Sequence, residues 1–585
     1  MAYKVELHSV PVGVRSLREL DPRLPEWNML QSVGHSAMSS VLQGLERYSG
    51  GRLALTDQKQ AIIGLELQQT ESAFLTDLVL SNILAKKTYK NRGRPNPSRV
   101  SADNKQMKKQ LAEIRNLAHK TSPLWMAGNI LGSTQGGGLK KVAMADNGKL
   151  GGDVIHDLAT SAATGRLGFG NPYPLIMRTI DNLMQTSGHT MFHYHPFEVT
   201  GYALEQLAKL HPNTQLVKDK KVRVITRHSG SEINTTAIEI VCAHATKKQN
   251  TYENPKVAQL LAEHGLSGSN GIKQLELRGL ITVPKVFAVD GTWAGGYNGA
   301  AVEGSSFGVD GHSNLHTGGE AWVKRVLPLF TAENRGKIIA ILSEAITKGE
   351  CAGLIVEPDV DVDGGMYPVD QSLLAEVRDL LKLQELPIIA DCMQTTGSMG
   401  GSYLGEGPTQ TLAEYPHLII TNAKAAAVDP YAFALIPAHI DASTTGMSHL
   451  STPTNYGPHL QAFVIAHMVQ NPLFQTKVQH DGQRIEEIAQ EYGMTHRLRG
   501  KGMNRGWIVD NVGRAQNFLY LHFGIFLGNA SGVLRDQRSL TEFSETHELL
   551  TRIICEGLKR LDEGNLDPQT ENLLERMGSE GAGGL

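Results

Sequence analysis

Between Val222 and Ile436 the chain keeps repeating one pattern: a short apolar, β-branched run, then a longer segment with helical spacing. The runs are Val222–Thr226, Lys285–Val289, Gly353–Val356, Pro387–Ala390, Leu418–Thr421 and Ala432–Ile436. They are nearly continuous in apolar residues, whereas a strand with one wet face would alternate. Such strands have to be covered on both sides, and the intervening helical segments supply the covers. The pattern therefore predicts an α/β fold built on a mainly parallel, doubly wound sheet. Composition supports this, since 41% of residues are hydrophobic and the 61 glycines suit many tight strand–helix turns.

The flanks read differently. Residues 1–130 form a helical N-terminal extension, with helical spacing in Met29–Leu45 and Thr70–Leu84. A basic stretch, Lys86, Lys87, Lys90, Arg92, Arg94 and Arg99, has Pro95 and Pro97 nearby and reads as a solvated loop. Its only aromatic is Tyr89, too little for a nucleic-acid surface. Gly132–Gly138 reads as a hinge, and 131–200 as linker and the first part of a smaller domain. The large domain spans 201–447. Long helices and a few strands return over 448–562, completing a smaller α+β domain, and 563–585 reads as a flexible tail.

The net charge of −3 argues against a general nucleic-acid partner. Cys242, Cys351, Cys392 and Cys555 form no CxxC pair, so a disulfide framework or zinc ribbon is not expected and a reducing compartment is. Met1–Val10 lacks the basic start and apolar run of a signal peptide, and no uncharged apolar stretch reaches the roughly 20 residues of a membrane span. These features read as a cytoplasmic protein with no membrane partner. His189, His193 and His195 have no carboxylate at ligand spacing and read as core or helix-entry residues rather than metal ligands.

Three features of the sheet region carry chemistry when read together. Arg227-His228-Ser229-Gly230-Ser231-Glu232 follows a strand and opens the amphipathic run Ile233–Thr246. A small-residue turn at a helix start offers amides and a positive dipole end to phosphate, although a plain strand–helix turn has the same appearance. Pro387–Asp391 is a buried strand ending in a carboxylate, placed to hold a protonated ring nitrogen or to cap the next turn. Leu418–Lys424 is another apolar strand, ending in a lysine 33 residues after Asp391. Beside a cationic ring and short of solvent, Lys424 would have a lowered pKa and form an imine; alone it would read as a surface residue.

In this order the features resemble the class III aminotransferase family of fold-type I pyridoxal-phosphate enzymes. The resemblance runs over Lys149–Leu561, 413 of the 585 residues. Ser229-Gly230-Ser231-Glu232 resembles the family's phosphate motif, and Asp290–Gly295 its aromatic motif, which puts Trp293 on the cofactor ring. Val356-Glu357-Pro358 is similar to the Glu-Pro segment, and Asp391–Thr395 to Asp-Glu-Val-Gln-Thr. The resemblance implies Asp391 on the pyridine nitrogen, Met393 behind the ring, Gln394 near the phenolic oxygen, and Lys424 as Schiff base. Arg499–Met503 and Val533-Leu534-Arg535 resemble C-terminal family strands; Arg535 is a carboxylate fork or a structural ion-pair residue. Family members are homodimers in which a partner threonine touches the phosphate, and Thr454 fits that place better than Thr452.

Departures from the family pattern also stand out. Ala294 replaces a histidine, Cys392 a glutamate, Thr396–Gly400 lacks an arginine, and Ala425–Asp429 replaces a glycine-rich run. The resemblance implies amino-group transfer between an amino acid or amine and a 2-oxo acid. Another pyridoxal-phosphate reaction (decarboxylation, elimination, racemisation or carbon–carbon bond formation) and a non-catalytic scaffold of the same fold are the alternatives.

Overall fold

The structure is a computed structural model. It describes residues 24–51, 55–91, 132–134, 139–146, 149–158, 167, 171–184, 198–250, 253–289, 323–362, 364–423, 431–440, 457–530, 532–568, 570–572 and 574–575. The chain divides into two compact units, residues 1–186 with 464–585, and residues 187–463.

The second unit holds the expected sheet. Its strands are β1 (Val222–Arg227), β2 (Lys285–Val289), β3 (Val323–Leu327), β4 (Cys351–Val356), β5 (Ile388–Asp391), β6 (Leu418–Ala423) and β7 (Ala432–Pro437). Their spatial order is β1-β7-β6-β5-β4-β2-β3. β5 runs parallel to β4 and β6, and β2 parallel to β3 and β4, whereas β7 is antiparallel to both β6 and β1. Every residue of β4, β5, β6 and β7 is buried, which accounts for their unbroken apolar runs. β3 was not expected from sequence.

Helix α1 (Gly230–Gln249) covers one face, bringing Ile233, Ala237, Ile238, Ile240 and Val241 against Val286, Ile355, Ile389 and Ile419. Full burial of one such side chain stabilises by about 1.5–3 kcal/mol, which makes this face a large part of the unit's cohesion. Gly353 lets β4 sit close to its neighbours, because a Cβ there would lie 2.5 Å from the Pro387 carbonyl oxygen and 3.0 Å from Val241 Cγ1. Helices Arg335–Thr347 and Gln371–Lys382 connect β3 to β4 and β4 to β5.

The first unit opens with helices Leu24–Tyr48 and Asp57–Lys90. The second of these runs through Lys86, Lys87 and Lys90, so that part of the basic stretch is helix rather than loop, and Lys86 lies 2.7 Å from Glu545. Arg92, Arg94 and Arg99 lie outside the described residues. Gly132–Thr134, read as part of a hinge, pairs as a strand with Leu139–Asp146, which pairs in turn with Lys149–Asp157. An antiparallel sheet joins Leu498–Lys501, Asn504–Ile508, Val533–Gln537 and Gly528–Ala530.

Buried charge ties the N-terminal extension to the C-terminal helices of this unit. Helix Ser544–Asp562 has no capping side chain of its own. Glu26 takes that role, accepting from the Ser544 amide at 3.0 and 3.1 Å and pairing with Lys477 at 3.1 Å. Lys477 is also 2.6 Å from Asp481. Two residues of the tail, Thr570 and Leu574, are buried, and His522 Nε2 lies 3.0 Å from Thr570 Oγ1. These two residues of the expected flexible tail are therefore docked. Among the described residues no helix is long and apolar enough to cross a membrane, and no group of three His, Cys, Asp or Glu could hold a metal. His189, His193 and His195 lie outside those residues.

Candidate active site

The turn between β1 and α1 is fixed by its own side chains. Ser229 Oγ accepts from the Glu232 amide at 3.3 Å, and Glu232 Oε2 accepts from the Ser229 amide at 2.8 Å and the His228 amide at 3.0 Å. This reciprocal capping box orders the start of a 20-residue helix. The amides of Gly230 and Ser231 open the helix, where backbone geometry provides no intrahelical acceptor and the dipole is positive. Gly230 also sits against the rest of the site, since a Cβ there would lie 2.2 Å from Met393 Sδ and 3.3 Å from Ala423 Cβ.

Asp391 ends β5 and is 5% exposed. Its Oδ2 accepts from Asn234 Nδ2 on α1 at 2.7 Å, and its Oδ1 accepts from the Met393 amide at 3.1 Å. Thr421 on β6, in register with Asp391, donates its hydroxyl to Asn234 Oδ1 at 2.7 Å. The adjacent β4 ends at Val356, so Glu357 follows the neighbouring strand end; it is buried and accepts from the Val362 amide at 2.9 Å. Gln394 is half-buried.

Cys392, between Asp391 and Met393, is fully buried. Burial, and then Asp359, Asp391 and Glu357, push its thiol well above the usual range, so it stays protonated and is no nucleophile.

The structure thus brings together Ser229, Gly230, Ser231, Asp391 and Met393, with Glu357 on the next strand end. Lys424 lies outside the described residues, directly after Ala423, the last residue of β6. Trp293 and Thr454 also lie outside them. Arg535 belongs to the other unit, half-buried on strand Val533–Gln537 between Gly506 and Gly528. Asn234 and Thr421 were not foreseen. Their signal in the sequence is faint: a polar residue beside Ile233 on a helix that faces the sheet, and a threonine in a run of isoleucines.

A family model for aminotransferase class-III matches residues 147–534. Among solved structures the chain resembles an ornithine aminotransferase from Toxoplasma gondii ME49, with 17% identity and a TM-score of 0.57, over 78% of this chain and 96% of that one. A second structure of ornithine aminotransferase from Toxoplasma gondii, described with partial occupancy of pyridoxal phosphate at its active site, gives 16% identity, a TM-score of 0.57 and the same coverage. A search of curated proteins finds no match.

Proposed function

The chain belongs to the class III aminotransferase family, enzymes of pyridoxal-phosphate-dependent amino-group transfer, and from that premise we propose how its residues divide the work. The groups present fit the cofactor: a capped helix start for the phosphate, a buried carboxylate for the ring nitrogen, and a thioether wall between them. The Gly230 and Ser231 amides hold the phosphate, with Ser229 fixing the turn and Thr454 of the partner subunit completing it. Asp391 keeps a proton on the ring nitrogen, because a carboxylate there favours the charged form of its partner. Met393 and Trp293 bound the ring, and Gln394 and Glu357 flank its oxygen side.

Lys424 is the covalent anchor and the base that moves the substrate proton. When bound, the cofactor supplies the electron sink for a carbanion. Arg535 takes the carboxylate of an acid substrate through a planar fork. The donor is an amino acid or amine and the acceptor a 2-oxo acid. The active form is a homodimer, and the compartment is cytoplasmic, a reading supported by four buried cysteines outside any disulfide.

The observation that carries this reading is the convergence of three distant motifs: Gly230 against Met393 and Ala423, and Asn234 between Asp391 and Thr421. Borohydride reduction of the loaded protein should fix the cofactor on the peptide containing Lys424; label on another lysine overturns the assignment. Incubation with a panel of amines that includes ornithine, with and without 2-oxoglutarate or pyruvate, should give oxo-acid-dependent products by mass spectrometry.

A further inference from the structure

We propose that Asn234 is a positioning residue for Asp391, and that Thr421 fixes the way its amide faces. The inference rests on the reading of Asp391 as the partner of the ring nitrogen. Asn234 and Thr421 are fully buried, on α1 and β6, and both contacts are 2.7 Å. An amide has a donor end and an acceptor end, and only the donor end can meet a carboxylate. Once Nδ2 faces Asp391, Oδ1 faces Thr421, whose hydroxyl donates to it. The two bonds therefore polarise in one direction and bring positive character to Asp391 Oδ2. Hydrogen bonds to the charged form of an acid favour that form. The relay also ties Asp391, at the end of β5, to both the helix that carries the phosphate turn and the strand that leads to Lys424. Asn234 would thus set both the direction and the charge of the group that holds the ring nitrogen, without touching the cofactor.

The test uses purified full-length protein and pyridoxal phosphate, measuring the dissociation constant by equilibrium dialysis and the pH titration of visible absorbance of the loaded protein. Asn234→Ala should weaken cofactor binding about tenfold, as expected for a lost hydrogen bond to a charged group, and shift the absorbance titration. Thr421→Val should act in the same direction, and Thr421→Ser, which keeps the hydroxyl, should bind as the wild type does. In an Asp391→Ala background, Asn234→Ala should change neither readout, because it acts only through that carboxylate. Equal losses in both backgrounds would make Asn234 merely structural and overturn the proposal. If Asn234→Ala does not fold, the Thr421 pair decides, and equal affinities for Val and Ser overturn it. A wild type that fails to take the cofactor would sink the premise and the inference together. A wild type that binds, with variants that match it, would sink the inference alone.

Discussion

Gly230→Ala tests the assembly of the site most directly. The added methyl would lie 2.2 Å from Met393 Sδ and 3.3 Å from Ala423 Cβ. The Ala423 contact needs only a few tenths of an ångström of adjustment, whereas the Met393 contact needs a different rotamer. Met393 is flexible enough to move, but 8% exposure leaves it little choice of direction. Overpacking of this kind typically costs about 1–3 kcal/mol. The displaced thioether and the cofactor ring compete for one space, so the penalty should fall on cofactor binding more than on folding. That corresponds to about a fivefold to 150-fold weaker dissociation constant, with only a small drop in the melting temperature of the cofactor-free protein. Equilibrium dialysis against pyridoxal phosphate reads the first quantity and calorimetry the second. Adding Met393→Ala to Gly230→Ala should restore part of the affinity by removing the clash. If Gly230→Ala binds as tightly as the wild type, or Met393→Ala relieves nothing, then Met393 does not wall the cofactor site.

The remaining predictions concern charge. Burial pushes the Glu239 carboxyl up to about 7 against the pull of Arg227. A carboxyl raised in the folded state costs stability as pH climbs from its unfolded value of 4.5 through that of the folded state. Glu239→Gln should therefore raise the melting temperature at pH 8 and leave it unchanged at pH 4, and an equal effect at both would refute the assignment. His547 is 1% exposed, neither ring nitrogen has a hydrogen-bond partner, and burial holds its pKa well below 6.5 against the attraction of Asp481. The unfolded chain takes up that proton first, so stability should fall by about 1.4 kcal/mol per pH unit below 6.5; in urea titrations from pH 6.5 to 5, His547→Gln should flatten this slope. Arg535→Ala should weaken binding of acid substrates by about 1.5–3 kcal/mol while sparing simple amines; uniform loss across substrates would mark a structural ion-pair residue.

How much of the fold the sequence carried depends on where each strand sits. The runs leading to β4, β5, β6 and β7 were readable because both faces are buried, so no polar alternation interrupts them. β3 escaped the same reading for a physical reason. Among the described residues it is an edge strand, paired only with β2, and it carries Lys324 and Arg325, charges that protect an edge from further pairing. The reversed direction of β7 was latent in a loop length, since residues 424–431 are too few for a parallel crossover, which needs about a dozen or more. The basic stretch misled because Lys86, Lys87 and Lys90 were read with the prolines that follow them, although lysine is a good helix former and the helix continues to Lys90.

The site divides along a similar line. Ser229 and Glu232 stand three residues apart, the spacing of a capping box, so the capped helix start was legible from local chemistry. Asp391 stood out because it closes an apolar strand, and its Oδ1 does cap the following turn by accepting from the Met393 amide, the plainer of the two uses the sequence allowed. Asn234 was different. Asparagine is a poor helix former, and burying its amide without partners costs about 1–3 kcal/mol, so its presence on the sheet-facing side of α1 demands partners. Those partners lie 157 and 187 residues away, on strands that meet only when the parallel pairing of β5 and β6 sets Asp391 beside Thr421. A single sequence can show that such a residue needs an explanation, but only the register of the sheet supplies it. Once the register is known, the need for partners and the need to orient Asp391 have the same solution, which is why both hydrogen bonds of this one amide point along a single line of charge.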